Sequence, residues 1–332
     1  MKYEFTGKTI AVTGGTGFIG SYLVSELVSM GNNVRLLVRD VHAIPSGIKA
    51  LPVEYVQGDI RDVLSLKKLL HNADVVYHLA GKMRASKKVV DDELYDINTR
   101  GTQCVLDACV AENVPQFIYF SSVAVMKGTM EMADESSICE PHSEYGESKL
   151  AAERLVSEYH EKYNIRTTIL RLVVVYGIGD KGNMMKLIEA VRTKRFVLID
   201  RGRTVRSVVY VRNVINAALC VTLAPRADGN VYIVTDGECK SLREIAHVVA
   251  QHFRVSLYPF SIPVPFATLL AEICELIQPI APFTLPLNRN ILRRLLGNQR
   301  CSSKCIQDDL GFTPISFEQG MAEVIDELRN KT

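Results

Sequence analysis

Val12-Thr13-Gly14-Gly15-Thr16-Gly17-Phe18-Ile19-Gly20 is the stretch that decides the fold. Before it, Lys8-Thr9-Ile10-Ala11-Val12 reads as a buried strand; after it, residues 18–30 carry apolar side chains at helical spacing. Gly14, Gly17 and Gly20 fall between the two at the spacing GxxGxxG. The first permits a tight turn, the second lets backbone approach a pyrophosphate, and the third lets helix pack close on strand. Amides around Thr16, Gly17, Phe18 and Ile19 open the helix, where the helix dipole favours an anion. In this strand–turn–helix setting the glycines read as a dinucleotide-binding turn; an ordinary glycine-rich loop is the plainer alternative.

Outward from this turn, strands and helices alternate through the first two-thirds of the chain. That order implies a parallel sheet with helices on both faces. The second strand, 33–39, ends at Arg39, where an acidic residue would take the ribose hydroxyls; Asp40 follows it. An arginine can pair with a 2′-phosphate, which tilts the cofactor expectation from NAD toward NADP. The third strand, 53–60, ends in Gly58-Asp59-Ile60, with Asp59 an acceptor for the adenine amino group. A short helix over 63–70 leads to a fourth strand, 73–81, whose Leu79-Ala80-Gly81 end leaves room for cofactor contacts. His78 in that strand reads as a satisfied core histidine.

A long helix over 93–113 carries Asn98, and the strand 116–122 delivers Ser121 and Ser122 to the same carboxyl edge. Tyr145-Gly146-Glu147-Ser148-Lys149 then opens a helix running to about residue 163. Tyrosine and lysine four apart share one helical face. A phenol is a poor base at neutral pH, and a neighbouring ammonium favours its phenolate. Tyr145 as acid/base, Lys149 as tuner and ribose anchor, and Ser122 as orienter make a hydride-transfer site.

Bulk properties bound the alternatives. The chain has 332 residues, 47% hydrophobic, enough for one large or two modest domains with a full core. A net charge of +2 gives no reason to expect nucleic acid as a partner. Eight cysteines lack paired metal-ligand spacing, so no metal is expected, and reduced thiols of a cytoplasmic protein are the simple reading. The N-terminus shows no signal-peptide pattern. Residues 264–287 are strongly apolar, but Glu272, Glu275, Pro279, Pro282 and Pro286 oppose insertion in lipid. A helix covering a substrate pocket is the leading expectation there, with peripheral membrane contact as the lesser alternative.

With these residues in place, the chain resembles the extended short-chain dehydrogenases/reductases of the NAD-dependent epimerase/dehydratase family. The glycine turn, Gly58-Asp59-Ile60, His78-Leu79-Ala80, Asn98 with Gly101-Thr102, Ser121-Ser122 and Tyr145 with Lys149 carry the likeness. It continues through residues 170–177 and 206–211 to Leu310-Gly311-Phe312-Thr313-Pro314. The resemblance implies an α/β fold, a Rossmann-type doubly wound parallel sheet with a smaller, discontinuous C-terminal substrate-binding domain. Residues 1–175 and 206–235 would bind the dinucleotide, and 176–205 and 236–332 the substrate. It implies cofactor contacts from Gly14, Thr16, Gly17, Phe18, Ile19, Gly20, Arg39, Asp59, Ile60, Leu79, Ala80, Asn98, Tyr145 and Lys149. Ser122, Asn183 and Arg206 would contact substrate, the last two resembling the family's diphosphate ligands. Residues 167–175 would form a sheet strand, 208–223 a helix, and 230–235 a strand. A homodimer through the helices near 93–113 and 145–163 is expected by the same analogy.

Three positions depart from the family pattern: Lys127 where glycine is frequent, Leu172 for a frequent proline, and Val174 where many sugar epimerases carry asparagine. They bear on the substrate and leave the hydride chemistry intact. The leading expectation is an NAD(P)-dependent nucleotide-sugar 4-epimerase or 4-keto-sugar reductase. The alternative is an NADP-dependent reductase of a hydrophobic or sterol-like carbonyl, resembling dihydroflavonol reductases and 3β-hydroxysteroid dehydrogenases.

Overall fold

The computed structural model describes residues 5–83, 91–128, 131–278 and 288–330. In chain order its strands are β1 (Thr9–Thr13), β2 (Asn33–Val38), β3 (Val53–Gln57), β4 (Val75–His78), β5 (Gln116–Ser122) and β6 (Arg166–Leu172). They continue with β7 (Val174–Tyr176), β8 (Leu198–Ile199), β9 (Val205–Tyr210), β10 (Asn230–Val234), β11 (Cys239–Ser241) and β12 (Ser261–Ile262). Seven of them form one parallel sheet in the order β10-β6-β5-β4-β1-β2-β3. This is the doubly wound α/β arrangement expected. Strand order reverses between β1 and β4, which opens a crevice at their carboxyl ends.

Alternation of side chains accounts for burial on both sheet faces. Ile10 and Val12 enter one core cluster and Ala11 the other; Ile118 and Phe120 divide from Phe117 and Tyr119 in the same way. Strands buried on both faces read as continuous apolar runs, which is why β1, β4 and β5 were legible. Helix Phe18–Ser29 lays Leu23, Val24 and Leu27 on the first face, and helix Glu144–Tyr163 lays Ala152 and Val156 on the second.

Two segments differ from the expected layout. The run expected as one strand over 167–175 breaks at Val173, so that β6 stays in the large sheet and β7 leaves it. β7 joins β9 and β11 in a separate three-stranded sheet. Val208, Val209 and Tyr210, expected in a helix, are the buried end of β9. A consecutive β-branched and aromatic run suits a pleated strand better than a helix. The helix begins only at Val211 and runs to Leu223.

The segment expected to cover a pocket turns most of its large apolar residues outward. Val264–Ile277 is a helix, but only Ala267 and Ala271 on it are buried, packed with Leu292. Its large apolar side chains point away from the protein. No helix among the described residues is long and apolar enough to cross a membrane. Residues 279–287 of the same stretch lie outside the described residues.

Candidate active site

The glycine turn is a cradle that side chains would fill. Gly14 has φ +74°, and a Cβ there would lie 2.6 Å from the Ala80 amide nitrogen. A Cβ on Gly20 would lie 2.3 Å from the Gly14 carbonyl oxygen, so only glycine lets this helix approach β1. Gly17 is the N-cap and offers no side chain to the first-turn amides. Those donors are left for an anion. Thr16, Phe18 and Ile19 border the turn half-buried, and Leu79 and Ala80 face it from just past the end of β4, Leu79 donating its amide to Thr13 O at 3.1 Å. These residues fit a dinucleotide pyrophosphate.

Farther along the carboxyl edge, Arg39 is exposed and Asp40 accepts the His42 amide at 2.8 Å. The acidic group next to the ribose position is thus engaged in a turn. Asp59 is clamped by Arg61, with Nε–Oδ1 2.6 Å, and that hydrogen bond holds its carboxyl below the usual carboxylate range. Arg61 also reaches Asp96. Sequence reading named Asp59 and missed the arginine that fixes it two residues on. Ile60 is buried against Gly101, where a Cβ would meet its Cδ1 at 2.4 Å.

Asn98 sits in a π-helical turn, Asp96–Arg100, inside what was expected as a plain α-helix. Its side-chain amide donates to Ser148 Oγ at 2.9 Å and Lys82 O at 3.0 Å, and its carbonyl accepts the Lys82 amide at 2.7 Å. Both amide hydrogens are therefore used within the protein, and Asn98 ties the loop after β4 to the helix bearing Tyr145. Asn98 thus serves as a strut at the position where the resemblance implies a cofactor contact.

His78 lies beneath this region with both ring nitrogens bonded. Thr102 Oγ1 donates to Asn98 O at 2.6 Å, so it accepts from His78 Nε2 at 3.0 Å. Nδ1 is then the acceptor for the Thr13 hydroxyl at 2.6 Å. Burial lowers the imidazole's pKa to about 3, which keeps it neutral. His78 is the satisfied core histidine expected, and it links the glycine-turn strand to the π turn.

The last pieces come from β5 and the long helix. Ser143 caps that helix, accepting the Gly146 amide at 3.1 Å. A Cβ at Gly146 would stand 2.2 Å from Ala124 O, so the helix start touches the turn just after Ser122. This close approach brings Tyr145 to Ser122. Burial raises the Tyr145 pKa and the Ser122 hydroxyl opposes the rise. The Lys149 ammonium, expected to act on this phenol, is held on the backbone of β5. Lys149 is 4% exposed, donates to Phe120 O at 2.8 Å and lies 4.6 Å over the Tyr119 ring. Burial brings its pKa down to about 8, against the pull of Glu153. Glu153, one turn on, pairs with Arg171 at 2.7 Å, both side chains almost fully buried. Nothing in the spacing singled out that pair; the helical i, i+4 relation of Lys149 to Glu153 was the available signal.

Of the expected substrate ligands, Asn183 is exposed at the start of helix Asn183–Arg192, and Arg206 is half-buried on β9. Desolvation lowers the Arg206 pKa. Its strand bridges Gln299, and the next residue, Arg300, has a buried Nε without a hydrogen-bond partner in the structure. Among the described residues no group of three or more His, Cys, Asp or Glu could hold a metal ion.

A parallel sheet with a glycine turn at its switch point and a Ser-Tyr-Lys cluster at the same rim agrees with a direct comparison of sequences. The sequence model of the NAD dependent epimerase/dehydratase family matches residues 10–235. The chain belongs to that family. It is thus an enzyme of a family of NAD-dependent epimerases, dehydratases and reductases. A farnesyl-dihydroquinoline-oxide ketoreductase of Stigmatella aurantiaca is 31% identical over 80% of this chain and 79% of its own. An N-acetylglucosaminyl-diphospho-undecaprenol 4-epimerase of Escherichia coli O157:H7 is 24% identical, covering 94% and 92%. The structure of MoeE5 with UDP-glucuronic acid and NAD superposes with TM-score 0.77 at 25% identity, covering 98% and 100%.

Proposed function

We propose that this family member is an NAD(P)-dependent 4-epimerase or 4-keto reductase of a hexose or N-acetylhexosamine carried on UDP. The observation that carries the substrate class is the half-buried guanidinium of Arg206 on β9. Arg206 is desolvated enough to lower its pKa, and Arg300 holds a buried donor without an acceptor. A guanidinium held largely out of water favours an anionic ligand, and its fork suits a diphosphate. Asn183 is assigned to the same ligand from its place in the family pattern.

The bound dinucleotide, held by the glycine turn, would supply the hydride acceptor and donor. Tyr145 takes the proton of the sugar hydroxyl during oxidation and returns it during reduction, with Ser122 orienting that oxygen. Lys149, at a pKa of about 8, carries its ammonium through most of the neutral range and anchors the ribose. In an epimerase the keto sugar turns and is reduced from its other face; a reductase stops after one transfer. Asn98 holds the loop and helix in register. A homodimer through helices Gly101–Ala111 and Glu144–Tyr163 belongs to the same proposal.

Arg39 sets the cofactor preference in this scheme. Arg39→Ala should lower the NADP-over-NAD preference roughly tenfold or more, by the loss of one charge-assisted contact. Titration of both dinucleotides against the variant measures it, and an unchanged ratio removes Arg39 from the site.

A second reading, reduction of an apolar carbonyl, is favoured by the 31% identical ketoreductase. Thermal shift separates the two. UDP and UDP-sugars should raise the melting temperature of the purified protein. No shift with UDP, together with NADPH consumption on a prenylated ketone, would replace the first reading by the second; neither response would reject both.

A further inference from the structure

Helix Val264–Ile277 exposes Phe266, Leu269, Leu270, Ile273, Leu276 and Ile277. Their spacing places them on one continuous stripe, opposite the buried Ala267 and Ala271. Leu276 is 79% exposed and Phe266 65%. Scattered apolar residues on a surface are ordinary, but a contiguous stripe of six large ones marks an interaction surface.

Charge says what kind of surface it meets. Between residues 254 and 299, four arginines stand against two glutamates; between 194 and 203, four basic residues stand against one aspartate. Those stretches together carry +5 in a chain of net charge +2, leaving −3 for the remainder. They form one lobe: Ser261 and Ile262 pair with Leu198 and Ile199, and Tyr258 donates to Lys194 O at 2.9 Å. Ile199 and Ile262 pack on the buried side of the stripe helix. The two acids beside the stripe share one base, with Arg289 2.9 Å from Glu272 and 3.7 Å from Glu275.

We infer that this lobe docks on an anionic phospholipid bilayer, with helix Val264–Ile277 lying in the plane of the interface. Apolar side chains enter the acyl boundary while the surrounding bases meet the headgroups. A helix of 14 residues is too short to span lipid, and lying flat leaves Glu272 and Glu275 paired near the headgroups. The cost that weighs against insertion across lipid in the sequence therefore does not apply to a helix lying flat. A second copy of the chain on the stripe would bring two lobes of +5 together, which like-charge repulsion opposes. The inference stands independently of the substrate assigned above.

Sedimentation of the full chain with vesicles tests it. Binding should appear with phosphatidylcholine mixed with phosphatidylglycerol, fall on vesicles of phosphatidylcholine alone, and weaken as salt is raised. L269E/I273E should reduce binding to the anionic vesicles roughly tenfold or more, since two large side chains no longer enter the boundary. Both side chains are exposed, so circular dichroism melting should match the parent; F266S/L276S supplies a milder second pair. Failure of the parent to bind anionic vesicles would overturn the inference. Equal binding by both double variants would too, as would a stable dimer in solution that L269E/I273E converts to monomer.

Discussion

Tyr145→Phe should lower turnover roughly 10²–10⁴-fold, the range typical of a positioned acid/base. The change removes one oxygen and leaves the ring, so helix Glu144–Tyr163 and its contact with the Ala124 turn persist. Binding of NAD and of UDP should stay within a few-fold of the parent. The pH dependence follows from the same group. Burial raises the phenol's pKa in the cofactor-free protein. Oxidation needs the deprotonated phenol and should speed up as pH rises; reduction needs the protonated phenol and should slow. Tyr145→Phe should flatten both profiles. Steady-state rates in each direction across pH, with dinucleotide titrations alongside, measure this. Unchanged turnover in the variant would overturn the role of Tyr145.

The second large effect concerns stability. Arg171 and Glu153 form a buried ion pair at 2.7 Å that joins β6 to the catalytic helix. Arg171 Nη2 also donates to Cys139 Sγ at 3.1 Å. Removing one partner strands the other charge in a medium of low polarity. Arg171→Met alone should therefore destabilise the fold by about 3–5 kcal/mol. Replacing both, with Glu153→Leu beside Arg171→Met, should restore most of that loss, because no uncompensated charge remains. Chemical denaturation of the single and double variants measures the cycle; equal stability of Arg171→Met and the parent would mean that water reaches the pair. Glu153→Gln carries a further signature. Glu153 works against the burial that lowers the Lys149 pKa to about 8, so its neutral variant should lower that pKa further.

Much of this molecule was legible from local chemistry. β1, β4 and β5 are apolar runs buried on both faces, and the glycine turn, the Ser122 strand end and the Tyr145/Lys149 pair each follow from spacing. Asp59 was legible as well, though its partner Arg61 was not: a short-range clamp leaves no periodic trace. Asn98 was read as a cofactor ligand because its residue type suits one. The π turn that spends both its amide hydrogens on Ser148 and Lys82 depends on which helix lies opposite. Val264–Ile277 was read as a pocket cover because apolar residues are commonly buried, and the sequence does not say which side of an apolar helix meets the protein.

The sequence by itself determined the parallel α/β fold, the glycine turn and the residue types of the proposed hydride-transfer site. Each is written in periods of two or 3.6 residues or in the steric demands of glycine, which act over a few neighbours. Tertiary structure decided the rest. It broke the run after β6 and sent β7 to a second sheet. It turned Lys149 toward Phe120 O, buried the Glu153–Arg171 pair, and left an apolar stripe facing outward from a basic lobe. Those outcomes depend on contacts between residues tens to hundreds apart, where burial and charge are set by what the fold brings alongside.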